Sequence, residues 1–154
     1  MKITDFLDHR AIKIGLTATD KEGILKELVE VLAQVKDIGD QKAIVRALSE
    51  RENLGSTGIG QGIAIPHGKT DRIKELTAVL GISRKGVNFE ALDGEAVYIF
   101  FLLVAPKDTA GPHLKALAQI SRLLRDSYFC ELIKRCQTPD ELYELIKREE
   151  EKKH

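Results

Sequence analysis

Ala-Val-Tyr-Ile-Phe-Phe-Leu-Leu-Val-Ala, residues 96–105, is an almost unbroken apolar run that is rich in β-branched and aromatic side chains. Such a run is typical of a strand at the centre of a sheet, because both of its faces must be covered by other parts of the chain. We therefore predict a buried central strand here. Further strands are predicted over residues 77–84 and, as a shorter segment, over residues 11–16.

Helical patterns alternate with these strands. A capping-box signal at residues 19–22 begins a first helix, and residues 40–53 predict a second one with Gly55 just beyond its end. Pro112 fits the first position of a third helix that runs to about Asp126. Helices that alternate with buried strands predict an α/β fold, with the sheet between helical layers.

The C-terminal region predicts one more helix. It begins at a capping box in residues 138–141, and the sequence from Glu149 to His154 is interpreted as a charged, frayed tail. No repeat or linker divides the chain, so residues 1–154 are predicted to form a single domain.

Composition narrows the class of protein. Of the 154 residues, 43% are hydrophobic and 31% charged, with 24 Lys plus Arg balancing 24 Asp plus Glu. This balance gives no basic surface for nucleic acid. The sequence predicts no signal peptide and no membrane insertion, so we expect a cytoplasmic protein. Cys130 and Cys136 match neither common zinc spacing nor a dithiol motif, and are interpreted as reduced thiols.

A glycine-rich segment is the strongest functional signal. Gly-Ser-Thr-Gly-Ile-Gly-Gln-Gly-Ile-Ala-Ile-Pro-His-Gly-Lys spans residues 55–69. Both a Walker A loop ending at Lys69-Thr70 and a dinucleotide-binding fingerprint starting at Gly58 require glycine where Ile63 stands. What we still expect of this segment is a backbone that another group can approach closely, because glycine has no side chain. Its free amides would form an anion-binding concavity.

His67 is the first candidate for chemistry. Pro66 favours an extended Ile65 and lacks an amide hydrogen, so a strand should end there and turn His67 out at its edge. A neutral imidazole has one nitrogen lone pair that can attack phosphorus. From the residues alone, a structural histidine, a nucleophile and a metal ligand all remain open.

Two further residues fit an anion site. His113 would lie in the first turn of the third helix, where unpaired amides and the helix dipole favour an anion. Arg51 precedes the glycines and offers a planar cationic fork suited to phosphate. An ordinary surface role stays open for both residues. His9 and His154 are interpreted as exposed and without a role.

The carboxylates Asp93 and Glu95 flank Gly94 and are interpreted as part of a turn between strands rather than as an acid/base pair.

Residues 55–69 resemble the phosphorylation-site signature of the enzyme IIA proteins of the bacterial phosphoenolpyruvate-dependent phosphotransferase system, in the fructose/mannitol class and closest to its nitrogen-regulatory branch. The resemblance covers practically the whole chain and includes Arg51-Glu52, residues 89–93, residues 104–106 and His113-Leu114. It implies a mixed sheet flanked by helices on both faces.

The resemblance also implies roles for the site residues. His67 would accept a phosphoryl group from the carrier protein HPr or its nitrogen-branch counterpart. His113 would stabilise that group, and Arg51 would lie close to it. No metal or other cofactor is expected. Two outputs stay open, namely regulation of a target such as a kinase or transporter, and transfer of the phosphoryl group to a sugar-specific IIB domain during uptake.

Overall fold

The computed structural model describes residues 1–108 and 110–152. Within them the chain forms a 3₁₀ turn, Ile3–Asp5, followed by six strands and five α-helices. The strands are β1 Leu7–Ile14, β2 Gly58–Gly60, β3 Ile63–Ala64, β4 His67–Lys69, β5 Thr77–Val87 and β6 Val97–Ala105. The helices are α1 Lys21–Val35, α2 Gln41–Asn53, α3 Ala110–Leu124, α4 Ser127–Arg135 and α5 Pro139–Lys152.

The strands form one mixed sheet in the order β1-β5-β6-β3-β2, with β4 also paired to β6. β5 and β6 are antiparallel, whereas β1 is parallel to β5, and β3 and β4 are parallel to β6. The predicted central strand is confirmed: β6 has partners on both sides, and Phe100, Phe101, Leu102 and Leu103 are fully buried.

Helices cover both faces of the sheet, and adjacent residues of β4 identify which helix lies on each. Successive strand residues point to opposite faces. The ring of His67 lies beside His113 of α3, whereas a Cβ added at Gly68 would meet Leu48 of α2 at 3.4 Å. Hence α2 and α3 lie on opposite faces, and the predicted α/β fold with a sheet between helical layers is confirmed.

Side-chain caps begin four of the helices within the described residues, including α5, where Oγ1 of Thr138 accepts a hydrogen bond from the amide of Glu141 at 3.1 Å. The carboxylate of Asp40 accepts hydrogen bonds from the first turn of α2, as that of Asp126 does for α4. For α1 the cap is Asp20, whose carboxylate accepts from the amide of Gly23 at 2.7 Å. The predicted capping box counted Thr19 as the cap, so it was one residue out of register.

The predicted start of the third helix is wrong. α3 begins at Ala110, so Pro112 is its third residue rather than its first. A proline is tolerated here because the amides of the first turn have no partner within the helix. His113 still lies in the first turn, as the sequence predicts. Thr109, in the predicted loop before this helix, lies outside the described residues.

The expected frayed tail is also corrected. α5 continues to Lys152, and the carboxylate of Glu150 accepts hydrogen bonds from the amides of Ile3 at 2.6 Å and Thr4 at 3.3 Å. These bonds tie the last helix to the start of the chain. His154 lies outside the described residues.

Candidate phosphoryl-transfer site

A break between two short strands places His67. β3 ends at Ala64, opposite Phe100, and β4 begins at His67, opposite Leu103, so both pair with β6 in one continuous register. Pro66 lies in the gap, where its missing amide hydrogen interrupts the ladder. The strand therefore ends near Pro66, as predicted, but His67 begins a new strand instead of turning out at the end of the old one.

The glycine-rich segment folds as a hairpin, β2 and β3, rather than as an anion cradle. The amide of Gly58 donates to Oγ of Ser56 at 3.0 Å, and that of Gln61 donates to Oδ2 of Asp93 at 3.0 Å. These two amides cannot contribute to the predicted concavity without losing their partners. The sequence does not reveal that Asp93, 32 residues away, is one of them.

The close approach predicted from the glycines is made by the chain itself. A Cβ at Gly58 would lie 2.8 Å from Cβ of Ala91, so only glycine fits against that segment. Gly62 has a φ of +80°, which L side chains rarely adopt, and it turns the hairpin. The glycines thus shape the hairpin that carries the segment leading to His67.

A hydrogen bond to the backbone orients the imidazole of His67. Its Nδ1 lies 2.8 Å from the carbonyl oxygen of Ile65, two residues earlier. A carbonyl oxygen only accepts, so Nδ1 must carry the proton and Nε2 keeps its lone pair in the neutral ring. Burial lowers the pKa of the half-buried His67 below its ordinary value. The ring is therefore neutral near pH 7 and presents an unprotonated Nε2.

His113 of α3 lies directly beside this ring. The two ring centroids are 5.6 Å apart and the planes are inclined by 56°. His113 is 5% exposed, and its Nδ1 is a buried nitrogen without a hydrogen-bond partner among the described residues. Leaving such a group unpaired costs about 1–3 kcal/mol, a cost that a purely structural histidine does not explain.

Burial lowers the pKa of His113 to about 4, and electrostatic interactions with the protonated form of His67 and with Lys69 add to this effect. In the unfolded chain the same side chain titrates near its ordinary value of 6.5. Between these two values the unfolded chain binds a proton that the folded chain does not. The contribution of His113 to stability is therefore present above pH 6.5 and falls as the pH drops toward 4.

We expect the free energy of unfolding to fall by up to about 3 kcal/mol from this group as the pH is lowered from 7 to 4. Urea unfolding of the parent chain and of His113→Leu across this range measures the effect. The variant should lose less stability on acidification than the parent, because it has no imidazole to protonate. Equal pH slopes for the two proteins would contradict the lowered pKa.

Arg51 lies in the last turn of α2. Its Nη1 donates to the carbonyl oxygen of Gly55 at 2.9 Å, so one edge of the guanidinium is occupied by the chain. Its positive charge contributes to lowering the pKa of His67, which places it within electrostatic reach of the ring. The structure thus brings together all three predicted site residues, His67, His113 and Arg51.

Lys69 is a fourth candidate that the sequence reasoning missed. It lies two residues after His67 in β4, and residues with this spacing point to the same face of a sheet. Its charge contributes to lowering the pKa of His113, so the ammonium group lies within electrostatic reach of that ring. The sequence did contain a signal for Lys69, because it lies two residues after His67 and alternate residues of a strand share one face.

The remaining sequence candidates lie elsewhere or play structural parts. His9 is exposed in β1, against the edge of Tyr143. Asp93 accepts hydrogen bonds from the amides of Gln61 and Glu95, which confirms its interpretation as a turn residue. Cys130 and Cys136 are free and buried, and burial raises the pKa of each thiol to about 11.

No group of three or more His, Cys, Asp or Glu side chains within residues 1–108 and 110–152 has an arrangement that could hold a metal ion. Separately, the site combines an uncharged imidazole that has a free lone pair with a second imidazole and two cations. This combination suits a transferring phosphoryl group, whose oxygens carry negative charge.

The helices within residues 1–108 and 110–152 lack membrane-spanning character. None of these helices combines the length and the apolar character that crossing a bilayer requires.

Comparisons with known proteins agree with this chemistry. The family model described as "Phosphoenolpyruvate-dependent sugar phosphotransferase system, EIIA 2" matches residues 5–149. A nitrogen regulatory protein of Bradyrhizobium diazoefficiens is 34% identical over 146 residues, which are 95% of this chain and 95% of that protein. The crystal structure of nitrogen regulatory protein IIA-Ntr from Neisseria meningitidis has a TM-score of 0.87 at 28% identity, covering 94% of this chain and 98% of that one.

A sugar-specific relative matches equally well in sequence. The fructose-specific EIIABC component of Bacillus subtilis is also 34% identical over 146 residues, but these are 95% of this chain and only 23% of that protein. Similarity over nearly the whole chain to proteins of one system, together with the family match, establishes the family. The chain belongs to the EIIA 2 family of the phosphoenolpyruvate-dependent sugar phosphotransferase system.

Proposed function

We propose that this chain is a phosphohistidine carrier that accepts a phosphoryl group on Nε2 of His67 from an HPr-type carrier protein. The observation that carries the proposal is the hydrogen bond from Nδ1 of His67 to the carbonyl oxygen of Ile65. It leaves Nε2 as the nitrogen with a free lone pair. In the transfer step, Nε2 bonds to phosphorus while the bond between phosphorus and the carrier's histidine breaks, and the carrier's imidazole leaves with that electron pair.

The flanking groups would stabilise the phosphoryl oxygens. Arg51 and Lys69 supply positive charge, and the neutral ring of His113 supplies one N–H donor at the edge of the site. Transfer between two histidines replaces one N–P bond with another, so positioning and electrostatic stabilisation are the main contributions required of the protein. No metal or other cofactor is part of the proposed step.

Exposed apolar side chains near the site support docking of a protein partner. Leu114 follows His113 and is 65% exposed, and Leu54 at the end of α2 is 84% exposed. Ile59 and Leu92 are 50% and 78% exposed beside each other, since the amide of Leu92 donates to the adjacent Gly58. Exposed apolar side chains mark a partner-binding surface where they form a contiguous patch, and these four are the candidates for such a patch.

Two outputs of the phosphorylated protein are considered. A regulatory output, on a kinase or transporter, is favoured by the match over nearly the full length of a nitrogen regulatory protein and by the TM-score of 0.87 to IIA-Ntr. The second candidate is transfer to a sugar-specific IIB domain, which the fructose-specific EIIABC relative favours. The proposal places the protein in the cytoplasm and treats residues 1–154 as one domain.

The experiment is phosphorylation in vitro. The chain is incubated with phosphoenolpyruvate, enzyme I and HPr or its nitrogen-branch counterpart, and one acid-labile phosphoryl group is expected by intact mass. A fructose-type IIB domain is then added. Retention of the label on the chain supports the regulatory output, whereas loss of label to a IIB cysteine supports the sugar-specific one. Absence of labelling with carriers that label a known IIA protein would contradict the proposal.

Replacing His113 with alanine is expected to slow phosphorylation by about 10²-fold, because a preorganised donor beside the transferring group is lost. The acceptor itself should remain, so labelling should still reach one phosphoryl group per chain at long times. Quench-flow measurement of the initial rate tests this expectation. Lys115→Ala, at an exposed position two residues further along α3, is the matched control, and an equal slowing in both variants would contradict a specific role for His113.

A further inference from the structure

A buried ion pair lies behind the site, and neither histidine is part of it. The carboxylate of Glu52 in α2 is 2% exposed and lies 3.1 Å from Nζ of Lys21 at the start of α1. Nζ also lies 4.9 Å from the centre of the Phe89 ring and 3.3 Å from the exposed Glu90. Burying a carboxylate is unfavourable unless it is paired and hydrogen-bonded, so this position requires an explanation.

The hydrogen bonds of Glu52 lead toward His67. Its two carboxylate oxygens accept from the amide of Thr57 at 3.1 and 3.3 Å, and its Oε2 also accepts from the hydroxyl of Thr57. The carbonyl oxygen of Thr57 accepts from the amide of Ile65 at 3.0 Å. The carbonyl oxygen of Ile65 is the group that accepts from Nδ1 of His67. Lys21, Glu52, Thr57, Ile65 and His67 therefore form one continuous series of contacts, which we name the anchoring chain.

We propose that Glu52, neutralised by Lys21, is a positioning residue that holds the carbonyl of Ile65 in place and so keeps the proton of His67 on Nδ1 and the lone pair on Nε2. The inference rests on the proposed function for its kinetic consequence, although the tautomer of His67 can be measured without it. Glu52 is connected to Ile65 across the base of the hairpin, because Thr57 is hydrogen-bonded to Glu52 through its amide and to Ile65 through its carbonyl oxygen.

The alternative tautomer of His67 cannot react through Nε2. A neutral histidine ring without a constraint also populates the form protonated on Nε2, which has no lone pair there for phosphorus. The acceptor opposite Nδ1 decides between the two forms. If the carbonyl of Ile65 shifts, its hydrogen bond to Nδ1 weakens and the preference for the tautomer protonated on Nδ1 is reduced. The direction in which Nε2 points changes as well. Displacements on the scale of 1 Å can lower the rate of a positioned reaction by about 10²-fold.

The chain contains a matched control for this idea. Glu27 of α1 is 6% exposed, and its carboxylate accepts from the amides of Thr17 and Ala18 at 2.9 to 3.0 Å. It pairs with Nζ of Lys13 at 2.8 Å. Glu27 thus repeats the surroundings of Glu52, with a buried carboxylate, two or more donors from a loop and one lysine. No described hydrogen bond connects it to His67.

The test compares Glu52→Met with Glu27→Met, since methionine keeps the length of the side chain and removes the acceptors. Two readouts are used, namely the initial rate of phosphorylation and the ¹⁵N chemical shifts of the His67 ring, which distinguish the nitrogen that carries the proton. We expect Glu52→Met to be phosphorylated roughly 10- to 100-fold more slowly and to show a mixture of tautomers. Glu27→Met should match the parent chain in both readouts.

Further variants separate positioning from direct charge. Glu52→Met removes a negative charge near His67, and Lys21→Met removes a positive one, so purely electrostatic effects on His67 would have opposite signs. Under the proposal both substitutions slow phosphorylation and both mix the tautomers. Thr57→Val, which loses only the hydroxyl, should be intermediate, and Thr57→Ser should restore the parent behaviour. If Glu52→Met does not fold, the threonine pair supplies the same comparison.

The outcomes are distinct. Three outcomes would each overturn the positioning role. In the first, Glu52→Met has the rate and the tautomer of the parent; in the second, Glu27→Met is slowed as much as Glu52→Met. In the third, Glu52→Met and Lys21→Met have opposite effects on the rate. A parent chain that is not phosphorylated at all would count against the proposed function alone. In that case a tautomer change in Glu52→Met, absent from Glu27→Met, would still support the anchoring chain.

Discussion

Replacing His67 with glutamine is expected to abolish phosphorylation of the chain. Glutamine retains a polar side chain of comparable length, but its amide nitrogen has no lone pair available to attack phosphorus. The side chain of His67 is half-buried and, among the described residues, its hydrogen bond is to the carbonyl oxygen of Ile65, so the fold should survive the change. Intact mass after incubation with phosphoenolpyruvate, enzyme I and HPr should show only the unmodified chain, whereas the parent gains one phosphoryl group.

The control for this substitution is His9→Gln. The side chain of His9 in β1 is 59% exposed, and the ring contacts Tyr143 rather than the site residues. This variant should be labelled as fast as the parent. Robust acid-labile labelling of His67→Gln, with His9→Gln also labelled, would show that another residue is the acceptor.

Replacing Phe100 with alanine is expected to lower the free energy of unfolding by about 3–5 kcal/mol, the cost of removing a large buried ring and leaving a cavity. Phe100 is fully buried in the central strand β6, and its ring packs edge-on against Phe89 with 5.2 Å between centroids. It is also paired with Ala64 of β3, three residues before His67. The substitution therefore weakens the core directly behind the strand that leads to the site.

Urea unfolding measures this effect, with Tyr128→Ala as the control because Tyr128 is 71% exposed. That variant should differ from the parent by no more than about 0.5 kcal/mol. A loss of less than about 1 kcal/mol for Phe100→Ala would mean that β6 is not the packed centre of the protein.

Much of the fold could be predicted from local patterns. The apolar run of residues 96–105 could only be accommodated between two helical layers, and it forms β6 at Val97–Ala105. The helix predicted over residues 40–53 forms α2, for which Asp40 is the cap, and it ends at Asn53, before Gly55, as expected. These features depend on residues close together in the chain, so composition and periodicity are sufficient to identify them.

Features that depend on distant partners could not be predicted in this way. The amide of Gln61 in the glycine-rich segment was predicted to be free because its acceptor, Asp93, lies far along the chain. The charged end of α5 was interpreted as frayed because nothing local shows that Glu150 binds the amide of Ile3. Charge and glycine content show which conformations a segment can adopt. Its long-range hydrogen bonds decide which of them it adopts in the fold.

In the candidate site too, local features could be predicted and those that depend on distant residues could not. His67 and His113 were each identified from their own surroundings, yet their 5.6 Å separation results from α3 packing on the face of the sheet that His67 occupies. Lys69 was missed because its role depends on sharing that face. Glu52 was seen only as a neighbour of Arg51, since its connection to His67 passes through the backbone of Thr57 and Ile65.

The central claim is that Nε2 of His67 receives the phosphoryl group, and the most direct test is to locate the N–P bond. The chain, labelled with ¹⁵N in its histidines, is phosphorylated by HPr and observed by ¹⁵N and ³¹P NMR at neutral or alkaline pH, where phosphohistidine persists. The account predicts a single ³¹P resonance, coupled to Nε2 of His67, with Nδ1 still protonated. A phosphoryl group on Nδ1 of His67, or on any other residue, would contradict the account.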